Sequence, residues 1–188
     1  MNGINLKEYY IYYMSILKVA KLGHPILLKK AIEIKDFSSD SLKNIIYNMS
    51  ETMIDYNGIG LAAPQVHLSK RIVIFRNPDQ EESEKINISP LINPIFSPLS
   101  EETEDDWEGC LSIPGMQGLV RRYKKIVYSG FDLDGNKINN QAEGLHARVV
   151  QHEIDHLDGI LYTDRLVDKK AFGFEKEIVE FWKNEKKI

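Results

Sequence analysis

The chain alternates between stretches with a helical spacing of apolar residues and shorter stretches typical of β-strands. The clearest helical stretch begins at Asp40, after which apolar residues recur every three or four positions. Asp40 and the serines beside it can cap the N-terminus, and Asn57-Gly58 is a common helix stop. Further helices are predicted over about 143–157 and 168–186, the last with a stripe of aromatic and branched residues.

Three shorter stretches between the first two helices predict β-strands. They are RIVIFR (71–76), LINPIF (91–96) and KIVYSGFDLDGNKIN (125–139), and the last contains an Asp-Gly pair at which a hairpin turns. The polar, proline-bounded stretch 77–90 is predicted to be an exposed loop. Helices flanking hairpin-connected strands predict an α+β fold. Antiparallel or mixed sheets would pack around the helix at 143–157, with further helices N-terminal and C-terminal to it.

Length and composition are those of one globular domain. The 188 residues are 43% hydrophobic and 28% charged, with a formal net charge of −4, and are enough for one core. Residues 1–13 differ from the rest of the chain and are predicted to be an N-terminal extension of unknown role, before a single catalytic domain over 14–188. The acidic run 101–108 and the basic cluster 121–125 look like solvated faces. Because the basic cluster is small, nucleic acid is not an expected partner.

The sequence contains neither a membrane-spanning stretch nor a recognisable targeting signal. No run approaches the ~18 consecutive apolar residues of a transmembrane helix, and the N-terminus lacks the uninterrupted apolar segment of a signal peptide. No membrane association is expected, and the predicted location is the cytoplasm. The single cysteine, Cys110, cannot form an intramolecular disulfide, so it is free, metal-bound or catalytic.

The stretch QHEIDHLDG, near the C-terminus, has the spacing of a metal site. On a helix, His152 and His156 lie one turn apart on one face, so both imidazoles can reach a single cation. Leu145 and Val149 share this face, which makes plain solvation a poor explanation for the histidine pair. Glu153 lies beside the pair and is better placed as a base than as a ligand.

A third ligand is needed, and Cys110 is the candidate. It lies in WEGCLSIPG, where a glycine before it and a Pro-Gly pair after it predict a turn that can direct the sulfur toward the helix. Two imidazoles and one thiolate, with water in the fourth position, form an open catalytic site of tetrahedral type. An inert buried thiol is the other interpretation of a single cysteine. With Cys110 as a ligand, the helix over 143–157 would be the central, metal-binding HExxH helix of the fold.

Three blocks of the sequence, taken together, resemble the peptide deformylase family. They are GIGLAAPQ (58–65), EGCLS (108–112) and QHEIDHLDG (151–159), in this order. The resemblance covers about residues 14–166 and implies removal of the formyl group from the N-terminal methionine of newly made polypeptides. It implies one divalent metal ion per chain, with Fe²⁺ favoured and Zn²⁺, Ni²⁺ or Co²⁺ as alternatives. The implied ligands are Cys110, His152 and His156.

The resemblance also implies roles for residues around the metal. Glu153 would take a proton from the attacking water, which the metal polarises, and return it to the leaving amine. The Gln65 side-chain amide and the Leu111 backbone N–H would stabilise the oxyanion. Ile59 and Gly60 would bind the peptide backbone as an added strand, and the helix face would line the methionine pocket. The expected substrate-binding residues are Ile59, Gly60, Gly109, Leu145 and Val149.

Two positions depart from the commonest pattern of the family. Gln117 stands where many relatives have arginine, which puts a charged contact with the downstream peptide in doubt. Arg148 occupies a helix position that is apolar in some members. Its stem is expected to line the pocket while its charged head reaches water.

Two other functions stay open on the residues alone. A zincin-type metallopeptidase shares the HExxH string but needs a third ligand further along the chain, for which the available carboxylates are poorly placed. Those carboxylates belong to Asp158, Asp164, Glu175 and Glu177. A non-enzymatic binding module stabilised by a structural metal is the second alternative. The expected partners of a deformylase are N-formylmethionyl nascent peptides, with the ribosome near its exit tunnel as a further candidate.

Overall fold

The computed structural model describes residues 15–76 and 88–183 of the chain. Within these ranges it consists of two antiparallel sheets, three α-helices and short 3₁₀ turns, so the prediction of an α+β fold with antiparallel sheets is confirmed. The parallel pairing found there is one isolated bridge, between Ile32 and Lys70. The predicted extension 1–13 and most of the predicted loop 77–90 lie outside the described residues.

The described residues form three α-helices and eight strands, and the longest strands lie near the middle of the chain. The helices are α1 (Asp40–Asp55), α2 (Gly144–Leu157) and the single turn α3 (Glu175–Ile178), which continues as a π-helical turn over Val179–Lys183. The strands are β1 (Gly60–Ala62), β2 (Ile72–Arg76), β3 (Ile88–Pro98), β4 (Thr103–Cys110), β5 (Ile113–Tyr123), β6 (Lys125–Phe131), β7 (Lys137–Glu143) and β8 (Phe172–Phe174). None of the described helices is long and apolar enough to cross a membrane.

The larger sheet has five strands in the order β1-β2-β3-β6-β7. Its β6–β7 hairpin turns where the Asp-Gly pair predicts. The Asp132 carboxylate accepts hydrogen bonds from the backbone N–H groups of Asp134 (2.9 Å) and Asn136 (2.8 Å). Gly135 adopts a positive φ of 78° there, a conformation that glycine tolerates best. The strand β1 is an edge strand of this sheet, which leaves one of its sides without a strand partner among the described residues.

The core lies on both faces of the five-stranded sheet, as alternate residues of β2 show. Val73 and Phe75 pack in one cluster with the apolar face of α2, while Ile72 and Ile74 pack in a second cluster with that of α1. All four side chains are fully buried. A strand buried on both faces has an unbroken apolar run, which is what the sequence RIVIFR shows.

The smaller sheet has three strands in the order β4-β5-β8, and the first two form from the charged runs for which solvated faces are predicted. That prediction is wrong for Glu108 and Arg122, whose side chains are only 4% exposed. It fits the pair Asp105 and Arg121 better, since these are register partners with two side-chain hydrogen bonds of 2.7 Å near the surface. Opposite charges therefore pair across the strands instead of facing water separately.

The helix predicted over 168–186 is wrong in its first half. The segment Phe172–Phe174 is instead the edge strand β8, which pairs with β5 from Met116 to Gly118. A side chain at Gly118 would contact the Phe172 ring at 3.2 Å, so glycine makes room for this aromatic residue on the sheet. Pairing with a sheet edge thus overrides the local helical pattern, and within the described part of the predicted range, 168–183, only residues 175–183 are helical.

The helix α2 is buried along almost its whole length. Every residue from His146 to Leu157 is buried, and the helix contacts strands of both sheets. Its C-terminal carbonyl at Leu157 accepts a 2.7 Å hydrogen bond from the Ala31 backbone N–H. The helix therefore carries several polar side chains into the interior, where each needs a partner or a function.

Candidate active site

The tip of β4 meets the C-terminal half of α2 at a group of three side chains that could hold a metal ion. Cys110 ends β4, and His152 and His156 lie one turn apart on α2. One ligand atom from each lies within 4.8 Å of the other two, and the Cys110 Sγ is 3.2 Å from His156 Nε2. Among residues 15–76 and 88–183, no other group of His, Cys, Asp and Glu side chains has this arrangement.

The nitrogen atoms of the two imidazoles are not equivalent. His152 Nδ1 is 2.8 Å from a carboxylate oxygen of Glu108, which leaves its Nε2 as the ligand atom. His156 Nδ1 is buried without a hydrogen-bond partner among the described residues. Two imidazole nitrogens and one sulfur form a donor set that suits Fe²⁺, Co²⁺, Ni²⁺ or Zn²⁺ and disfavours Mg²⁺ or Ca²⁺. The residues therefore fit a divalent transition metal.

Electrostatics favour the thiolate form of Cys110. Burial alone would raise the pKa of this thiol, but the neighbouring imidazoles of His156 and His152 hold the pKa well below its usual value. The thiolate and Glu108 in turn raise the pKa of His152 against the opposing effect of burial. Since metals bind the thiolate and not the thiol, this environment prepares the sulfur for coordination.

The Glu108 carboxylate is the centre of a buried charge network behind the histidines. It accepts hydrogen bonds from Arg122 Nε (2.9 Å) and Nη2 (3.0 Å), from Arg148 Nη1 (2.8 Å), and contacts His152 Nδ1. Arg122 also bonds to Asp155, which Arg165 holds from the other side. Such a carboxylate fixes the orientation of a metal-ligating imidazole. Glu108 is not among the site residues predicted from the sequence, although it lies two residues before Cys110, the spacing of one strand face.

The Glu153 carboxylate is buried at the edge of the same group. Its Oε2 has no hydrogen-bond partner among the described residues. Burial raises the pKa of Glu153 to about 7, against the opposing effect of the two imidazoles. The side chain packs directly against Gly60: a Cβ atom added there would lie 2.8 Å from the Glu153 Cδ. Glycine at this position thus leaves room for the carboxylate, in addition to the close substrate approach predicted for it.

Replacing Gly60 by alanine is expected to displace the Glu153 carboxylate and to lower turnover by about 10²-fold, because small misplacements of a reacting group are costly. The matched control is Gly173→Ala, where the added Cβ would meet Ile178 at an ordinary 3.6 Å. Steady-state kinetics and thermal unfolding of both variants check this. Equal activity of the two alanine variants would contradict the proposed crowding at Gly60.

Gln65 is oriented toward the sulfur by its own local hydrogen bonds. Its Oε1 accepts from the Ala62 backbone N–H at 2.8 Å, which directs Nε2 to Cys110 Sγ (3.4 Å) and Ser112 Oγ (3.3 Å). The side chain is 1% exposed, so this amide has no competing contact with bulk water. Gln65 therefore caps the short 3₁₀ turn over Ala63–Val66 through its Oε1 and directs its amide N–H groups to the site at the same time.

A cavity of about 540 Å³ opens over this group and is lined by almost all of the site residues predicted from the sequence. The exception is His156, which does not line the cavity but contacts Cys110, a residue that does. The predicted residues in the lining are Ile59, Gly60, Gln65, Gly109, Cys110, Leu111, Leu145, Val149, His152 and Glu153. Leu145 is 53% exposed at the mouth, whereas Val149 is 4% exposed and lies deeper. Lining residues not predicted from the sequence include Lys21, Tyr56 and Trp107.

The head of Arg148 does not reach water as predicted. The residue is 6% exposed, and its guanidinium donates to the Glu108 carboxylate and to the backbone carbonyls of Glu104 and Val120. The Asp106 carbonyl at 3.4 Å is a further acceptor, and these four acceptors satisfy the charged head, which therefore joins α2 to the smaller sheet. Gln117 lines the cavity, where its amide donates to Glu175 at 3.0 Å and accepts from Lys183 at 2.8 Å; the side chain is uncharged and cannot form an ion pair with a peptide.

A largely buried Cys-His-His set open to a cavity, beside an unpaired carboxylate, is typical of metal-dependent hydrolases. Comparisons with known proteins identify the family within this class of hydrolases. The sequence model of the family described as Polypeptide deformylase matches residues 16–172. The chain belongs to the polypeptide deformylase family, as its three sequence blocks predict.

Among curated relatives, Peptide deformylase 1 of Nitrosomonas europaea is 47% identical, with 85% of this chain and 92% of that protein covered. Peptide deformylase 1 of Bordetella pertussis is 46% identical, covering 83% and 90%. The crystal structure of the Thermotoga maritima peptide deformylase is 36% identical and superposes with a TM-score of 0.76, covering 82% of this chain and 99% of that one. The Synechococcus elongatus enzyme in complex with actinonin is 37% identical, with a TM-score of 0.77 and coverage of 82% and 83%.

The alternative functions find no support in these results. Three of the carboxylates considered for a zincin third ligand are engaged elsewhere. Asp158 pairs with Arg71 at 2.7 Å, Asp164 accepts from the Leu161 backbone N–H at 2.9 Å, and Glu175 accepts from Gln117 Nε2 at 3.0 Å. A structural metal in a binding module would not require the buried, unpaired Glu153 carboxylate beside the donor set. The family is one of metal-dependent enzymes.

Proposed function

We propose that the chain removes the formyl group from N-terminal formylmethionine through roles specific to its own residues. The enzyme acts on N-formylmethionyl nascent polypeptides and releases formate. The observation that carries the assignment of roles is the meeting of Cys110, His152 and His156 in one cavity with the Glu153 carboxylate beside them. These three side chains are the proposed ligands of one divalent metal ion, and Glu153 is the proposed general base and acid.

The identity of the metal follows from the ligands only in part. We favour Fe²⁺, with Zn²⁺, Ni²⁺ or Co²⁺ as alternatives that the same ligands accept. When bound, such a cation lowers the pKa of water and polarises the formyl carbonyl. The thiolate of Cys110 is oxidisable, as is Fe²⁺, so an iron-loaded sample is expected to lose activity in air.

Glu153 moves the proton of the reaction. Its carboxylate accepts a proton from the attacking water, whose oxygen then forms a bond to the formyl carbon. When the bond between that carbon and the methionine nitrogen breaks, the same carboxyl returns the proton to the departing amine. One water is consumed, formate leaves, and the peptide retains a free amino terminus. A base with no other hydrogen-bond partner among the described residues, as Glu153 Oε2 is, suits both transfers.

Two donors are proposed to stabilise the oxyanion of the tetrahedral intermediate. The Gln65 amide already points at the sulfur, and the Leu111 backbone N–H follows Cys110 directly in the chain. Donors held in place before the reaction stabilise the developing charge without reorganisation. The bonds of Gln65 to Ala62 and Ser112 supply this preorganisation.

The peptide is proposed to bind as a strand between two free sheet edges. Both β1 and β4 are edge strands, and Gly60 of β1 and Gly109 of β4 line the cavity. Ile59 is 51% exposed beside them, as a residue that contacts a peptide from outside would be. Leu145 and Val149 are proposed to line the pocket for the methionine side chain. Discrimination against an acetyl group then rests on excluding one methyl group.

The surroundings of the reaction follow from the same assignment. We propose that the single catalytic domain spans 14–188, that residues 1–13 are an extension, and that α2 is the central metal-binding helix. The cytoplasm is the proposed location, because newly made polypeptides are formylated where they are synthesised. The ribosome near its exit tunnel is proposed as the place where the enzyme meets its substrate.

The anaerobically purified protein is expected to contain about one metal ion per chain and to release formate from a formyl-Met peptide, since the donor set is that of an open catalytic site. Elemental analysis and a formate assay measure the two quantities, with the acetyl-Met peptide as control. Cleavage within an unformylated peptide, without formate from the formylated one, would instead support the metallopeptidase.

A further inference from the structure

The short segment from Ala20 to Leu22 connects the two parts of the chain that carry the proposed oxyanion donors. The Ala20 backbone N–H donates to the Gln65 carbonyl at 2.7 Å, and the Leu22 backbone N–H donates to the Ser112 carbonyl at 2.9 Å. Lys21 lies between these two bonds, with its side chain in the lining of the cavity. The segment lies outside the three sequence blocks that define the family resemblance, and it reaches the site only because the fold brings these distant parts of the chain together.

The Lys21 ammonium reaches one particular peptide group of the site. Its Nζ donates to the Leu111 carbonyl oxygen at 2.8 Å. The N–H of that same peptide group belongs to Ser112 and donates to the Cys110 Sγ at 3.4 Å. The Tyr56 ring, whose centroid is 5.4 Å from the Nζ, is a further favourable contact for the cation. An ammonium, a peptide group and the proposed ligand sulfur thus form one continuous chain of hydrogen bonds.

We propose that Lys21 is a positioning residue for deformylation, acting on the sulfur of Cys110 through the Leu111–Ser112 peptide group; this inference rests on the proposed function. A cation on the carbonyl oxygen polarises the peptide group and makes its N–H a stronger donor. A stronger N–H···S bond withdraws charge from the thiolate. Less charge on this ligand leaves a bound metal more electrophilic, which is the property that the reaction needs.

The same contact restrains the turn after Cys110. The Leu111 N–H, a proposed oxyanion donor, belongs to the peptide group immediately before the one that Lys21 holds. Rotation of the held group would swing this neighbour as well, because the two groups share the Leu111 Cα. The effect of Lys21 is therefore expected on the reaction step and not on peptide affinity, since the ammonium contacts the backbone carbonyl of the enzyme.

A purely structural role for Lys21 would have a different signature. The residue is exposed, and exposed charged groups contribute little to the stability of a fold. The segment itself is held by the backbone bonds of Ala20 and Leu22, which a substitution at position 21 leaves in place. Loss of the ammonium is thus expected to alter the site while the thermal unfolding temperature stays at the wild-type value.

Lys21→Met tests the proposal, because it retains the length of the stem and removes the charge. We expect kcat for formate release to fall about 10-fold and KM to change by less than about 2-fold. In the Co²⁺-substituted protein, the thiolate-to-metal charge-transfer band is expected to shift, because more negative charge stays on the sulfur when the ammonium is lost. Lys21→Arg retains a cationic donor and is expected to restore the band and most of kcat.

Lys18→Met is the matched control, because it removes the same charge from an exposed position three residues earlier. It is expected to match the wild type in the Co²⁺ spectrum and in kcat. A Lys21→Met variant with the wild-type spectrum and kcat would overturn the inference, as would a loss of kcat that arises only from a lowered unfolding temperature. If the wild-type protein released no formate, the proposed function would fail, and the Co²⁺ spectra would still decide whether Lys21 acts on the sulfur.

Discussion

Glu153→Gln is expected to retain the metal and to lower formate release by between about 10²-fold and 10⁴-fold, the range typical of a lost general base. The substitution preserves the shape of the side chain, so the crowded contact with Gly60 stays satisfied. It removes a carboxylate that can accept and return a proton. Among the described cavity-lining residues, no other carboxylate is both buried and left with an oxygen that has no hydrogen-bond partner. Metal content by elemental analysis and kcat by formate assay give the result.

The control for this variant is Glu143→Gln, which makes the same chemical change just before the first turn of α2. Glu143 pairs with Lys125 at 3.1 Å, and its side chain is 66% exposed. Near wild-type turnover is expected there. Two outcomes at Glu153 would contradict its role as general base. Loss of the metal would show that the carboxylate is a ligand, and unchanged turnover would show that it takes no part in the reaction.

Sequence periodicity was sufficient to predict the elements whose apolar pattern is local. The helix α1 follows from one apolar face, and the β6–β7 turn follows from the Asp-Gly pair. The donor residues were predictable as well, because His152 and His156 repeat at one helical turn and Cys110 was the only cysteine. Each of these inferences depends on residues close together in sequence or on a unique residue type.

The smaller sheet was not predictable in the same way, since its strands are made of charged residues. The acidic run of β4 and the basic run of β5 look solvated when each is considered alone. Only their pairing across the hairpin, for example of Asp105 with Arg121, neutralises the charges and allows Glu108 and Arg122 to be buried. Two runs of opposite sign on either side of a Pro-Gly pair were the available signal.

Contacts that depend on the tertiary fold left no signal in the sequence. Lys21 and Leu111 are ninety positions apart, and nothing in either local pattern indicates their hydrogen bond. The strand β8 likewise depends on the free edge of β5, so the aromatic stripe around Phe172 was mistaken for a helix face. In both cases a distant partner, absent from the local window, decides the conformation.

Glu108→Gln is expected to produce the largest loss of stability, about 3–5 kcal/mol in the free energy of unfolding, because it leaves buried cations without their counter-charge. Arg122 and Arg148 both donate to this carboxylate, and all three side chains are at most 8% exposed. The variant also removes the carboxylate that orients His152, so metal affinity should fall by about 10- to 100-fold. Denaturant titration and a metal-competition assay measure the two effects.

Glu102→Gln compares this network with an ordinary ion pair just beyond the ends of β4 and β5. Glu102 pairs with Lys124 at 2.6 Å, but the two side chains are 56% and 36% exposed. Water can therefore replace the lost partner, and the expected loss of stability is much smaller than that of Glu108→Gln. Equal destabilisation by the two variants would mean that burial does not set the strength of the Glu108 network. A destabilised Glu108→Gln with unchanged metal affinity would mean that the network supports the fold without orienting His152.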